Sequence, residues 1–148
     1  MRVNPRDESG QLLLLVLVYA LVAAALVMVV TDVSKVYLAR RSLAAVADGA
    51  ALAAAQSIDR AAFYDGGYEG MLRIDPQRAA VAVQAYAERN GLAARFVDFT
   101  YDPPQLTDGR TVSVRVHCRV VLPFTGFFTG HAQAVNLDVQ ASAQSTTK

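Results

Sequence analysis

Cys118, the single cysteine, stands beside His117, one of two histidines, an adjacency that suggests a thiol nucleophile and its base. Both fall in Thr111–Leu122, where apolar and polar residues alternate, and neighbours on a strand point to opposite faces. Their side chains therefore cannot meet, and Cys118 joins the apolar side, where a free cysteine behaves as a small hydrophobe. His131 lies in a predicted loop with no Asp/Glu cluster beside it, so the two histidines make no zinc site. Asp59, Asp65 and Glu69 offer oxygen ligands, but their spacing fits no EF-hand loop. Gly66-Gly67 and Gly126 lack the strand–helix setting and the lysine of a phosphate-binding loop. The expectation is a protein that is not an enzyme, with no catalytic residue, no metal site and no cofactor.

The elements that would carry any function are set by a lopsided composition. Over 148 residues, 53% are hydrophobic and 18% charged, and 14 Lys+Arg against 13 Asp+Glu leave a net charge of +1. That balance argues against a nucleic-acid binder, and the apolar content argues against disorder. Residues 12–30, LLLLVLVYALVAAALVMVV, hold no charge, Gly or Pro. Nineteen residues at about 1.5 Å each give roughly 28 Å, close to the roughly 30 Å of a bilayer core. Leu12 and Val30 mark the ends of a membrane anchor, bounded by Gln11 and by Thr31-Asp32. Ala23-Ala24-Ala25 resembles a signal-peptidase site, but Leu26–Val30 continues the apolar run, which favours an uncleaved anchor. Arg2 and Arg6 precede the span while Lys35, Arg40 and Arg41 follow it, so charge alone leaves the orientation open.

Beyond the span no Pro interrupts the chain before residue 58, and Ala, the best helix former, dominates. Val36, Ala39, Leu43, Val46, Ala50 and Ala53 recur at alternating steps of three and four, which places them on one helical face. Gly49 with Ala53, and Ala47 with Ala51, permit close helix approach. Two uses of this face stand open: packing on the chain's own domain, or helix–helix assembly with other subunits. A helix over residues 12–57 would be roughly 69 Å long. Arg40 and Arg41 lie roughly 15 Å past the span and read as a solvated face.

The stretch from Gly10 to Gln56 resembles the N-terminal module of TadE/TadG-like proteins of the tight-adherence (Flp) pilus machinery. The matching parts are Gly10, the apolar run, Asp32, Tyr37-Leu38-Ala39-Arg40-Arg41 and Ala47-Asp48-Gly49-Ala50-Ala51-Leu52-Ala53. The resemblance implies a processing site at Gly10–Gln11. Relatives with that site typically carry Glu at the fifth position after the Gly, where this chain has Leu15. A Glu buried in lipid is costly and usually functional, so Leu15 argues for an assembly component closer to TadG than to a processed filament subunit.

The remainder reads as a small α+β domain. Residues 58–74, rich in Gly and aromatics, read as a loop. Asp75-Pro76 starts a second helix, with Asp as N-cap and Pro at the first position, and Asn90-Gly91 ends it. Ala79, Ala82, Val83 and Tyr86 share its apolar face, and Val81 is an exception on the polar side. Three strands follow by period-two alternation: Arg95–Tyr101, with Val97, Phe99 and Tyr101 on one side; Thr111–Leu122, with Val112, Val114, Val116, Cys118, Val120 and Leu122 on one side; and a last one carrying Val135, Leu137, Val139, Ala141 and Ala143. Asp102-Pro103-Pro104 and Asp108-Gly109 form the first turn, and Pro123–Gly130 the second connection. An antiparallel meander with one wet face fits these strands. This half also resembles the tail of TadE/TadG-like proteins. Phe124, Phe127 and Phe128 either plug the open end of the core or form a patch that touches a partner or the membrane.

The expected architecture is therefore α+β and pilin-like: a long N-terminal transmembrane helix continuing outside the membrane, a second amphipathic helix and a three-stranded antiparallel sheet. The expected division is a cytoplasmic leader at 1–11, the transmembrane helix at 12–31, its continuation at 32–57 and an extracytoplasmic domain at 58–148. The resemblance implies a bacterial cytoplasmic-membrane protein, a minor pseudopilin-like component of a tight-adherence pilus or related secretion system. Its implied partners are the membrane, other pilus-assembly or pilin-like proteins and, through the long helix, a second copy; nucleic acid is excluded. The alternatives are a binding domain released by signal peptidase and a small non-catalytic subunit of another membrane complex.

Overall fold

A computed structural model describes residues 5–57, 74–126 and 130–145, with side chains from Gly10 onward. Helix α1 runs unbroken over Pro5–Ala55, about 77 Å at 1.5 Å per residue. It crosses the expected boundaries after residues 11 and 31 without interruption. Its first half is exposed at nearly every position, from Leu12 at 63% to Val30 at 62%. Among the described residues α1 is the helix long and apolar enough to cross a membrane. Its second half is the spine of the domain core, with Leu43, Val46, Ala47, Ala50, Ala51, Ala54 and Ala55 all buried.

Helix α2 (Pro76–Arg89) begins and ends where its capping residues dictate. Asp75 Oδ1 accepts the amides of Gln77 at 2.9 Å and Arg78 at 3.3 Å, which satisfies two donors that the first turn leaves open. At the far end Gly91 takes a left-handed φ of 58° and starts the short helix α3 (Leu92–Arg95). α2 packs along α1 through Ala79 and Val83, both buried, and Val81 is exposed. Gly49 lies against the Tyr86 ring: an added Cβ would stand 2.6 Å from Tyr86 Cζ. The Ser57 carbonyl accepts the Asp75 amide at 3.1 Å, so the end of α1 and the start of α2 are joined directly.

The sheet has four strands, β1 (Val97–Tyr101), β2 (Gln105–Thr107), β3 (Thr111–Leu122) and β4 (Gln133–Gln144). It is still three ribbons wide, because β1 and β2 both pair antiparallel with the same edge of β3. The extra strand arises within the segment expected to be a turn. Pro103 and Pro104 lack N–H groups and cannot extend a ladder, so a single edge ribbon is split in two around Asp102–Pro104. The Asp102 amide still donates to the Arg115 carbonyl at 2.9 Å. Asp108 and Gly109, with φ of 57° and 71°, turn β2 into β3. β3 and β4 pair residue for residue from Thr111↔Gln144 to Leu122↔Gln133.

β3 alternates as expected, with Val112, Val114, Val116, Cys118 and Val120 buried against α1. β1 departs from the expected alternation. A register shift between Val97 and Thr100, with Asp98 at φ 50°, turns Val97 out to 51% exposure. Phe96 takes its place beside Phe99 and Tyr101 against the core, since a bulge inserts a residue and re-aims its neighbours. The opposite face of the sheet is polar. There Arg119 pairs with Asp98, His117 Nε2 lies 3.4 Å from Asp102 Oδ1, and Arg115 donates to Gln140 at 2.8 Å.

Candidate functional site

The buried stripe of α1 carries Leu43, Val46 and Ala50 in the core, with Val36 and Ala39 packed at its margin and Ala53 half-buried. Stepping back from Val36 by one helical turn reaches Asp32, on the same face. Asp32 is a charged residue only 7% exposed. Burying a carboxylate is costly unless it is hydrogen-bonded, and here three donors meet it. They are the amides of Phe124 at 3.3 Å and Thr125 at 2.8 Å and the Thr125 hydroxyl at 2.5 Å. The Thr125 hydroxyl, then the Phe124 and Thr125 amides, hold the Asp32 carboxyl below its ordinary pKa of 3.8 against the opposing effect of burial. Lys35 adds a small pull in the same direction.

This clamp ties the β3–β4 connection to α1 two residues past the apolar run. Beside it lies a groove of about 480 Å³, lined along the helix by Met28, Val29, Val33, Val36, Tyr37 and Arg40. Its other wall is Leu122, Phe124 and Thr125. Arg40 and Arg41 are both exposed, as a solvated face requires, and Arg40 also borders the groove. Phe124 is 37% exposed; Phe127 and Phe128 lie outside the described residues. So do Asp59, Asp65, Glu69 and Gly66-Gly67.

Residues 10–57 match the family model described as "Putative Flp pilus-assembly TadE/G-like". This TadE/G-like segment takes in about a third of the chain and coincides with α1 from Gly10 to its C-terminal turn at Gln56-Ser57. No curated protein and no solved structure matches the chain. Within the TadE/G-like segment Gly10, Gln11 and Leu15 are exposed helical positions. An added Cβ at Gly10 would meet nothing within 4 Å, so packing within the chain does not require glycine there.

The groups first considered for chemistry are kept apart. Cys118 is 4% exposed in the core, and burial raises its thiol pKa. His117 is on the polar face, and His131 is exposed in the loop before β4. Among the described residues no three His, Cys, Asp or Glu side chains form a group that could hold a metal ion. Asp32 was read from the sequence as the polar end of the span and as one part of the TadE/TadG resemblance; its burial and its contact with the β3–β4 connection were missed. Its signal was its position four residues before Val36 on the buried stripe.

Proposed function

We propose that the chain is a single-pass component of a tight-adherence (Flp) pilus or a related secretion apparatus. Its role is structural. Residues 12–31 anchor it in the cytoplasmic membrane, and the domain stands on the extracytoplasmic side. The observation that carries this reading is the division of α1 within the TadE/G-like segment. Its first half is apolar and exposed, and its second half is built into a folded domain. Exposed apolar surface on that scale is costly in water and suited to lipid.

The domain's own core uses the stripe from Val36 to Ala53. The helix surface that remains for pilus-assembly or pilin-like partners, or for a second copy, includes Leu38 at 61% and Leu52 at 56% exposure. Photo-crosslinking residues at Leu38 and Leu52, in cells that make the pilus, test this role. Adducts with other pilus-assembly proteins or with a second copy support it; crosslinks to lipid or to nothing at both positions contradict it.

A further inference from the structure

The groove beside Asp32 sits where the apolar run ends, and its two ends differ in chemistry. Met28, Val29 and Val33 form the end nearer the span, and Phe124 closes it from the domain side. Tyr37 and Arg40 form the other end. Because Asp32 is turned inward and satisfied by Phe124 and Thr125, the groove side of the helix stays apolar past it, with Val33 at 62% exposure, while Ser34 and Lys35 are exposed outside the groove. Arg40 is ten residues beyond Val30, roughly 15 Å along the axis. Helical side chains lean toward the N-terminus, and long basic ones bring their charge back to the interface. The headgroup layer on each side of a bilayer is about 5–7 Å deep, so the Arg40 side chain leans back to meet its outer edge. Tyrosine also favours this level. Among the described residues no carboxylate is ion-paired with Arg40.

The geometry points to a binding site for one anionic phospholipid of the leaflet on the domain's side. An acyl chain lies along Met28, Val29, Val33 and Phe124, and the phosphate meets Arg40. The groove's volume, about 480 Å³, falls in the range of small-ligand sites, about 300–1,000 Å³. This inference rests on the anchor reading of residues 12–31 and names a ligand for the point where the anchor meets the domain.

The test uses the full chain in vesicles of equal phosphatidylglycerol and phosphatidylcholine, followed by native mass spectrometry of the protein with its retained lipid. The wild-type chain is expected to keep one phosphatidylglycerol. Arg40→Gln lowers its preference over phosphatidylcholine by about fivefold, the effect of one basic residue at a membrane surface. Arg41→Gln, outside the groove, lowers the preference less than Arg40→Gln does, and Val33→Trp fills the groove and abolishes retention. Unchanged preference in Arg40→Gln, or retention in Val33→Trp, overturns the site. So does a wild-type dimer without lipid that Val33→Trp dissociates, which would make the groove a protein interface. A chain that does not insert into the vesicles overturns the anchor reading and the site together; insertion without lipid retention overturns the site alone.

Discussion

Asp32 and Thr125, 93 residues apart, are joined by two hydrogen bonds: the Asp32 carboxylate accepts the Thr125 amide at 2.8 Å and its hydroxyl at 2.5 Å. The contact fixes the β3–β4 connection to the helix just beyond the apolar run. Asp32→Ala should free that connection and raise protease cleavage within residues 123–132. Thr125→Val removes one donor of three and should have a smaller effect, in keeping with the cost of leaving buried donors unpaired. Equal cleavage in wild type and Asp32→Ala would show that the clamp does not hold the loop.

Acid should release the same contact. A carboxyl whose pKa is depressed in the folded state contributes stability above its unfolded value, and that contribution is lost as pH falls through the folded value. Asp32 is held below 3.8, so the clamp should stay intact at neutral pH and loosen only below about pH 3.8. Hydrogen exchange at the Thr125 amide, followed as pH is lowered and corrected for intrinsic rates, should lose protection there. In Asp32→Ala that acid-dependent step should disappear.

Gly49 is held by the Tyr86 ring, which leaves no room for a Cβ. Gly49→Ala raises helix propensity by about 1 kcal/mol but overpacks the α1–α2 contact, at about 1–3 kcal/mol. The contact should win, giving net destabilisation in a denaturant titration. In Tyr86→Ala the same change at Gly49 should become stabilising. A stabilising Gly49→Ala in the wild-type background would contradict the packing account.

Leu43 and Leu52 lie on opposite sides of one helix, at 0% and 56% exposure. Leu43→Ala should cost about 2–5 kcal/mol through the cavity it leaves. Leu52→Ala should stay within about 0.5 kcal/mol as a surface change, while lowering crosslinking yield if that face meets a partner. Thermal unfolding of the two variants separates the core face from the outer one.

Long periodic patterns made much of the fold legible. The Val36–Ala53 stripe, the Asp75-Pro76 start, the Asn90-Gly91 stop and the alternation of Thr111–Leu122 each reflect one local rule, and α1, α2 and β3 follow them. Val97 defied its alternation because the bulge at Asp98 re-aims the chain, a feature that period counting does not contain. The Pro103-Pro104 pair was legible as a break but not as a gap between two strands on one edge. Asp32 was the larger miss. Its role depends on donors 92 and 93 residues away, and single-sequence periodicity carries no information about which loop folds back on a helix.

We propose that α1 crosses the membrane at residues 12–31 and holds the domain on the extracytoplasmic side. The most direct test is a pair of reporters fused after Lys148, one active only outside the cytoplasm and one active only inside it. With the domain outside, the first reporter should be active and the second silent. Activity from the cytoplasmic reporter alone would contradict it.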